Sequence, residues 1–209
     1  MNYLLIAIVG YLIGSIPTAY LVLRKKGINI LESGTGNVGT MNALRVSGSK
    51  TSGIIVFIID FLKGLLAVYL TELIFGKDFT FMITALLFAV VGHCFSPWIK
   101  FKGGRGLATT LGGFVILAPI IPGLWILLWI ATYLYKKNVH FANASATFLL
   151  LLLVIFSSDV LYKYSLVLPD SNTIFSATIS ALLFIILIKH YEPLKQYIEK
   201  NKKNILRNK

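Results

Sequence analysis

The sequence predicts an all-α polytopic membrane protein: a bundle of seven transmembrane helices with its N-terminus outside and its C-terminus in the cytoplasm. Hydrophobic residues make up 56% of the 209 residues and charged residues only 13%, about half of the ~25% that is typical of soluble proteins. A soluble domain of this size would need more charge to cover its surface. The apolar residues also form runs of about 15 to 25, long enough for a helix to cross ~30 Å of hydrocarbon.

Seven apolar segments are predicted as membrane helices, near residues 3–23, 53–75, 80–98, 107–118, 121–135, 141–157 and 174–189. The stretch from Leu107 to Tyr135 is interpreted as two short helices, because one helix of 29 residues would extend about 43 Å, beyond the hydrocarbon core. Pro119, Pro122 and Gly123 near its middle indicate a break and a turn.

The positions of the basic residues give the predicted orientation. Seventeen of the 20 Lys and Arg residues lie in four clusters that border apolar segments, at residues 24–50, 100–105, 136–137 and 189–209. Seven crossings place all four clusters on the cytoplasmic side, whereas six would place the last two clusters outside, against the positive-inside rule. The net charge of +12 is therefore interpreted as a signal of topology and of anionic ligands, and no nucleic-acid partner is predicted.

The whole chain, residues 1–209, is predicted to be a single membrane domain. Residues 191–209 are predicted to form a basic cytoplasmic tail on the anionic inner leaflet, and residues 158–173 an external loop. The first helix is interpreted as an uncleaved anchor, because the basic residues follow it rather than precede it. The single cysteine, Cys94, excludes a disulfide scaffold and a cysteine-rich metal site. We expect no metal and no cofactor.

The first cytoplasmic loop has the composition of an anion site. Gly34, Gly36 and a third glycine free the backbone to turn N–H groups towards an anion. Asn37 and neighbouring polar side chains add neutral donors, and Arg45 offers a two-pronged guanidinium for phosphate. A flexible polar connector is the alternative interpretation, but Arg45 three positions after Asn42 favours an anion site.

A second polar segment, residues 100–110, combines glycines and cations before an apolar helix. It is not a Walker A loop, because the Gly-Lys-Ser/Thr sequence is missing. Lys102 and Arg105 flank Gly103 and Gly104, and a helix N-terminus follows, which together favour phosphate binding. A basic turn that serves topology alone is the alternative, although it would not require so many glycines.

Asp60 and Lys63 lie inside the second apolar segment, three residues apart and therefore on one helix face. Ionisable residues within a membrane are costly and usually functional. We expect the two to pair and to support the site. In the alternative interpretation, Lys63 extends to the interface and Asp60 is only its counter-ion.

The three histidines give no nucleophilic dyad or triad. His93 and Cys94 are adjacent, so on a helix they point about 100° apart, and no carboxylate has the spacing of a Ser-His-Asp arrangement. His190, two residues before Glu192 at the end of the last apolar segment, is interpreted as a proton acceptor or a phosphate ligand. His140 is interpreted as structural.

Five motifs occur in order along the chain: Gly14-Ser-Ile-Pro17, Gly34-Thr-Gly-Asn-Val-Gly-Thr-Met-Asn-Ala-Leu-Arg45, Asp60-Phe-Leu-Lys63-Gly64, Gly92-His93 with Phe101-Lys-Gly-Gly-Arg-Gly-Leu-Ala-Thr109, and Lys189-His-Tyr-Glu192. Together they resemble the bacterial membrane glycerol-3-phosphate acyltransferases of the PlsY family, which use acyl phosphate as donor. The resemblance covers nearly the whole chain, and five ordered motifs are far more specific than any one of them.

The resemblance implies an activity at the start of phospholipid synthesis. Such enzymes move a fatty acyl group from acyl phosphate to the 1-hydroxyl of glycerol 3-phosphate, and they release lysophosphatidic acid and phosphate. The donor is already activated, which agrees with the lack of a protein nucleophile. The implied location is the bacterial inner membrane with the active site on the cytoplasmic side. The implied partners are the two substrates, membrane lipids and an upstream enzyme that forms the acyl phosphate.

The resemblance also implies roles for individual residues. Four are expected to act in catalysis: Thr35, Asn37, Arg45 and His190. Nine are expected to bind substrate or phosphate: Gly34, Gly36, Asn42, Lys63, Lys102, Gly103, Gly104, Arg105 and Thr109. Three are expected to support the site: Asp60, His93 and Glu192.

The sequence departs from the family pattern at several positions. Thr35 stands where serine is usual, Arg105 where lysine is usual, and Pro193 where asparagine is usual; the proline expected after Cys94 is shifted by one place, to Pro97. The change at Pro193 removes an amide side chain and a backbone donor. It supports the alternative hypothesis, a non-enzymatic lipid-phosphate binder or transporter. A third hypothesis, a structural membrane subunit, explains neither glycine-rich segment.

Overall fold

The computed structural model describes residues 1–207 and the side chains of residues 1–202. These residues form α-helices joined by loops and contain no β-strand, which confirms the predicted all-helical class. The helices are α1 (Asn2–Ser15), α2 (Thr18–Arg24), α3 (Thr40–Ser47), α4 (Lys50–Phe75), α5 (Phe79–Cys94), α6 (Leu107–Leu117), α7 (Ile120–Lys136), α8 (Val139–Phe156), α9 (Ser158–Leu161) and α10 (Asn172–Arg207), with 3₁₀ turns at Pro97–Ile99 and Tyr162–Tyr164.

Helices occupy all seven positions predicted for membrane segments. Four are long and apolar enough to cross a membrane: Asn2–Arg24, Lys50–Phe75, Val139–Phe156 and the helix that begins at Asn172. Three are shorter, with 16 residues in α5, 11 in α6 and 17 in α7, whereas a span usually needs about 20. The described residues therefore contain four candidate membrane spans, and the number of crossings and their orientation stay predictions.

The outer faces of the long helices are apolar. Large hydrophobic side chains are exposed along α1, α4, α8 and α10, among them Leu4, Ile54, Phe156 and Phe184. Exposed apolar side chains along so much of a helix surface are expected where lipid, and not water, is the solvent.

The first apolar segment is broken by Pro17. Helix α1 ends at Ser15 and α2 begins at Thr18, with Pro17 between them. Proline has no backbone N–H, so it cannot continue the helical hydrogen bonds. The break leaves carbonyl groups at the end of α1 that need other donors.

Backbone contacts divide the described residues into two compact units. The first unit comprises residues 1–119 and 165–170, and contains helices α1 to α6. Its helices approach closely at glycines: a Cβ on Gly14 would overlap the backbone of Ala89 in α5, and a Cβ on Gly64 would overlap the backbone of Thr109 in α6. Small residues at such crossings are typical of helix packing in membranes.

The second unit comprises, of the described residues, 120–164 and 171–207, and contains helices α7 to α10. Helix α10 continues to Arg207, through Pro193, so the predicted basic tail is helical as far as the structure describes it. Residues 208 and 209 of that tail lie outside the described residues. The predicted external loop, residues 158–173, contains α9 and a 3₁₀ turn.

Candidate active site

The first loop, residues 25–39, is held in shape by Asn42. The Asn42 Oδ1 accepts the N–H of Thr35 (3.0 Å), and its Nδ2 donates to the carbonyl oxygens of Ser33 (3.1 Å) and Asn37 (2.9 Å). The side chain is 5% exposed. Since both amide N–H groups serve the loop itself, Asn42 shapes the loop, which differs from its predicted role as a donor to phosphate.

The same loop leaves several polar groups accessible. Gly34 and Gly36 adopt positive φ angles of 62° and 68°, which only glycine adopts at no steric cost. Thr35 between them is exposed and Asn37 is half-buried. The Asn37 Oδ1 accepts the N–H of Gly39 (2.8 Å), which orients its amide group.

Arg45 lies in the short helix that follows this loop. Helix α3 begins without a side-chain cap, so the N–H groups of its first turn are suited to an anion. Arg45 is exposed and lies three residues after Asn42, on the same helix face. An exposed guanidinium therefore lies in the helix that directly follows the glycine-containing loop, and its binding of phosphate stays a prediction.

The loop between α5 and α6, residues 95–106, is pinned by Ser96. The Ser96 N–H donates to the carbonyl oxygen of Lys102 (3.0 Å), and the carbonyl oxygen of Ser96 accepts the N–H of Phe101 (2.8 Å). The Ser96 hydroxyl donates to the carbonyl oxygen of Ser15 (2.5 Å). Lys100 and Phe101 both have positive φ angles, 57° and 56°. Such strain in non-glycine residues persists only where the surroundings enforce it.

Gly103 and Gly104 pack directly against the end of α5. The N–H of Gly104 donates to the carbonyl oxygen of His93 (3.0 Å). A Cβ on Gly103 would overlap the backbone carbonyl groups of His93 and Cys94, and a Cβ on Gly104 would overlap the His93 imidazole. Glycine is thus required at both positions by the space available.

Arg105 and the start of α6 complete this loop. Burial lowers the pKa of the Arg105 guanidinium, because a charge is less stable away from water. Gly106, with φ of 87°, precedes α6 and provides no side-chain cap to its first turn. Lys102 is exposed. A partly desolvated guanidinium beside an uncapped helix N-terminus is suited to phosphate.

Thr109, predicted to bind substrate or phosphate, is fully buried. It has no exposed surface, and its backbone faces Gly64 of α4. Its hydroxyl has no hydrogen-bond partner among the described residues. The structure thus places Thr109 in the contact between α4 and α6.

Asp60 and Lys63 form the predicted pair. The Lys63 Nζ lies 2.7 Å from the Asp60 Oδ1, and both side chains are buried. Lys63 also donates to the carbonyl oxygens of Gly14 (3.4 Å) and Ile16 (2.7 Å). All three ammonium N–H groups then have partners within the protein. Lys63 therefore satisfies carbonyls at the Pro17 break, which favours the supporting role over phosphate binding.

Asp60 has two further neighbours that the sequence did not suggest. The Thr18 hydroxyl donates to Asp60 Oδ1 (2.9 Å), and His93 Nδ1 lies 3.7 Å from the same oxygen. His93 therefore lies between the carboxylate and Gly104, which links the buried pair to the α5–α6 loop. In the sequence, the only indication that Thr18 takes part in this network is its position directly after the motif that ends at Pro17.

In the second unit, His190 belongs to a chain of hydrogen bonds. The indole N–H of Trp129 donates to the Asn143 Oδ1 (2.6 Å), and the Asn143 Nδ2 lies 3.4 Å from His190 Nε2. His190 Nδ1 lies 2.8 Å from the carbonyl oxygen of Ile186. His190 is 1% exposed. Glu192, predicted to support it, is exposed.

A hydrophobic cluster connects the two glycine-rich loops of the first unit. Ile99 from the α5–α6 loop belongs to the same buried cluster as Ile30 and Val38 from the first loop. The cluster also contains residues of three helices, which are Ala19 and Leu23 of α2, Ala43 of α3 and Val56 of α4. The two loops are therefore anchored to one common core.

The described residues contain no group of three or more His, Cys, Asp or Glu side chains that could hold a metal ion. The polar groups of the two loops are hydroxyls, amides, backbone N–H groups and cations, together with one exposed carboxylate, Glu32. Apart from the carboxylate, such groups bind and orient anions, and they can stabilise negative charge that develops during a reaction.

The family model and the relatives that match this chain carry the same description. The family model described as glycerol-3-phosphate acyltransferase matches residues 4–200. Glycerol-3-phosphate acyltransferase 2 of Moorella thermoacetica is 41% identical to the chain over 155 residues, which cover 74% of this chain and 78% of that protein.

Two solved structures are similar over most of the chain. Both are of PlsY, an integral membrane glycerol 3-phosphate acyltransferase, and both are 30% identical to this chain and cover 96% of it. The glycerol 3-phosphate form has a TM-score of 0.76, with 94% of its chain covered. The lysophosphatidic acid form has a TM-score of 0.75, with 93% covered.

Proposed function

Because the chain belongs to the glycerol-3-phosphate acyltransferase family, we propose that it transfers a fatty acyl group from acyl phosphate to the 1-hydroxyl of glycerol 3-phosphate. The chain is an integral-membrane enzyme that acylates glycerol 3-phosphate. The proposed products are lysophosphatidic acid and inorganic phosphate. The related structure in a lysophosphatidic acid form supports the proposed product.

The observation that carries the proposal is the shared core of the two loops. Ile99, Ile30 and Ala43 belong to one buried cluster, so the α5–α6 loop, the first loop and the adjoining helix α3, which carries Arg45, are fixed by the same part of the protein. A reaction between two phosphate-bearing substrates needs two anion sites held in a constant relationship. The first loop and the α5–α6 loop together meet that requirement.

The first loop offers one phosphate site. Arg45 supplies an exposed guanidinium, and Thr35 and Asn37 supply a hydroxyl and an amide. Gly34 and Gly36 shape the turn, and Asn42 fixes it. We assign Arg45 to a substrate phosphate, and Thr35 and Asn37 to the same phosphate or to the orientation of the reacting hydroxyl.

The α5–α6 loop offers the second phosphate site. Lys102 and Arg105 supply positive charge, and the Gly103 and Gly104 backbone lies against α5 with no room for side chains. The Gly104 N–H already donates to the carbonyl oxygen of His93, so this backbone holds the loop in shape. Cations carried by a fixed loop can stabilise charge in a transition state without reorganisation.

The reaction needs no nucleophile from the protein. The glycerol 3-phosphate oxygen attacks the carbonyl carbon of acyl phosphate, the C–O bond to phosphate breaks, and the phosphate leaves with the bonding electrons. The hydroxyl proton passes to a phosphate oxygen. We assign Lys102 and Arg105 to the stabilisation of charge on the departing phosphate. We assign His190 a supporting part in the reaction, because it lies in the last of the five motifs.

We also propose the side of the membrane on which the reaction takes place. With seven crossings, the first loop, the α5–α6 loop and α10 beyond Lys189 all lie on the cytoplasmic face of the bacterial inner membrane, in keeping with the positive-inside rule. Acyl phosphate is a reactive anhydride, so an upstream enzyme that forms it is the expected partner. Membrane lipid surrounds the apolar faces of the long helices.

The proposal is tested by measuring the activity of the purified protein, in lipid nanodiscs, with different acyl donors. We expect lysophosphatidic acid to form from glycerol 3-phosphate with palmitoyl phosphate, and not with palmitoyl-coenzyme A or palmitoyl-acyl carrier protein. Arg45→Ala should abolish most of the activity, and Lys77→Met, a change to an exposed lysine of the α4–α5 loop, should not. Product formation from a thioester donor alone would overturn the proposal.

A further inference from the structure

The last carbonyl group of α1, that of Ser15, is bonded to the α5–α6 loop. Lys63 donates to the carbonyl oxygens on either side of it, those of Gly14 and Ile16. The carbonyl oxygen of Ser15 itself accepts the hydroxyl of Ser96 at 2.5 Å. Ser15 has no exposed surface and Ser96 is 2% exposed, so water does not compete for this bond. The break at the end of α1 is thus joined to the loop by a buried hydrogen bond.

Ser96 also holds the turn that leads to Lys102. Its N–H donates to the carbonyl oxygen of Lys102 (3.0 Å), and its carbonyl oxygen accepts the N–H groups of Ile99 (3.3 Å) and Phe101 (2.8 Å). The positive φ angles of Lys100 and Phe101, 57° and 56°, need such support, because these residues are not glycines. A single residue therefore bonds both to the end of α1 and to the backbone of Lys102.

Trp98 makes a second connection from the same loop to Ser15. The indole N–H can only donate, and it donates to the Ser15 hydroxyl oxygen at 2.9 Å. The Ser15 hydroxyl donates its own proton to the carbonyl oxygen of Leu12 (2.9 Å), so its oxygen is free to accept the indole. Trp98 is 64% exposed, and water could satisfy the N–H of so exposed a ring. The bond to Ser15 therefore restricts the loop, and is not needed to satisfy a buried donor.

The bonds of residue 96 require that it is not a proline. The family pattern places a proline here, whereas in this chain the proline is residue 97. A proline at position 96 would lack both the N–H that reaches Lys102 and the hydroxyl that reaches Ser15. The shift of the proline by one place therefore makes both connections possible in this chain.

We propose that Ser15, Ser96 and Trp98 are positioning residues that hold Lys102 at the second phosphate site. We call the two bonds to Ser15, from the Ser96 hydroxyl and from the Trp98 indole, the Ser15 tether. Loss of the tether would let the Lys102 ammonium shift relative to α1 without removing its charge. The part of the tether in the reaction rests on the proposed function, whereas the tether itself does not.

Hydrogen exchange tests the tether without relying on activity. In the full-length protein in nanodiscs, we expect the backbone N–H groups of residues 96–102 to exchange about 5-fold faster in Ser96→Ala and in Trp98→Phe than in the wild type. Ser15→Ala removes the acceptor of the Trp98 bond, so it should match Trp98→Phe. Wild-type exchange rates in all three variants would overturn the proposal.

Two residues of the second unit provide matched controls. The Trp125 indole N–H donates to the Thr147 hydroxyl (3.0 Å), and the Ser176 hydroxyl donates to the carbonyl oxygen of Val154 (3.4 Å). Trp125→Phe and Ser176→Ala therefore remove bonds of the same two kinds outside the α5–α6 loop. Both variants should keep wild-type exchange in residues 96–102.

Activity shows whether the tether serves Lys102. We expect Ser96→Ala and Trp98→Phe to lower kcat/KM by on the order of 10-fold, with a higher KM for the same substrate as in Lys102→Ala. Because the tether acts through Lys102, adding Ser96→Ala to Lys102→Ala should cost less than about twofold more. Losses that multiply in the double variant would overturn the proposal. A wild type that forms no lysophosphatidic acid, with exchange altered as expected, would refute the proposed function and leave the tether in place.

Discussion

The imidazole of His93 occupies the space that a side chain on Gly104 would need, so these two residues fix how close the α5–α6 loop lies to α5. The same imidazole lies 3.7 Å from the Asp60 carboxylate. The loop that carries Lys102 and Arg105 is therefore supported by a buried polar network and not only by its own turns.

Gly104→Ala should impair catalysis through this contact. The added methyl group would collide with the His93 ring, and either the ring or the loop would have to move. Because a misplacement of about 1 Å can cost 100-fold in rate, we expect kcat to fall by on the order of 10- to 100-fold. Gly123→Ala is the control, since nothing lies within 4 Å of a Cβ at that position. Equal activity of the two variants would contradict the account.

Removal of one member of the Asp60–Lys63 pair should destabilise the protein. Lys63→Met leaves a buried carboxylate with fewer partners and two carbonyls at the Pro17 break without their donor. Losses of about 3–5 kcal/mol are typical when one partner of a buried pair is removed. Thermal unfolding in detergent should show a large fall in Tm for Lys63→Met, with Lys77→Met as an exposed control.

The double variant Asp60→Asn/Lys63→Met tests whether the effect belongs to the pair. We expect its Tm to lie closer to the wild type than that of Lys63→Met, because no unpaired charge is left buried. Additive losses in the double variant would show that the two side chains act independently.

Arg105→Lys should change the pH dependence of the reaction. Burial lowers the pKa of the Arg105 guanidinium below its usual range, and the same burial would act on a lysine, whose pKa in water is near 10.4. The cation binds phosphate only while protonated, so activity is retained below the pKa and lost as the pH rises through it. We expect near wild-type activity at pH 7 and a decline at alkaline pH that begins earlier than in the wild type. Coincident pH profiles would refute this role of Arg105.

Features encoded locally in the sequence were predicted closely. Helices α6 (Leu107–Leu117) and α7 (Ile120–Lys136) match the predicted 107–118 and 121–135. The break was predictable because proline has no backbone N–H, and Pro119 and Pro122 lie at this point of the sequence. The pairing of Asp60 with Lys63 follows from helical periodicity alone. The family, too, follows from ordered motifs that need no structure.

Long-range contacts were not predictable in this way. Thr18 meets Asp60 across 42 positions, and Asn143 meets His190 across 47. No local pattern distinguishes these residues from other polar residues in apolar segments. The role of Asn42 in shaping the first loop was also missed, because a side-chain amide can serve either the backbone or a ligand with the same donors.

Pro193→Asn should improve stability more than activity. Helix α10 runs through Pro193, where a proline removes one backbone hydrogen bond at a cost of up to ~3 kcal/mol. We expect Pro193→Asn and Pro193→Ala to raise Tm alike. Activity should change less than twofold in both, since His190 is held by Ile186 and Asn143 and not by residue 193. A severalfold gain in Pro193→Asn alone would show that the lost amide side chain takes part in the reaction.

The most direct test of two phosphate sites is a steady-state comparison of Arg45→Ala with Lys102→Ala, in which glycerol 3-phosphate and palmitoyl phosphate are varied in turn. Each change removes a charge-assisted hydrogen bond, so we expect a KM increase on the order of 10-fold or more for one substrate. The substrate affected should differ between the two variants, because Arg45 follows the first loop in α3 and Lys102 lies in the α5–α6 loop. If both variants kept wild-type KM and kcat values for both substrates, the two loops would not be the sites at which the enzyme holds its substrates.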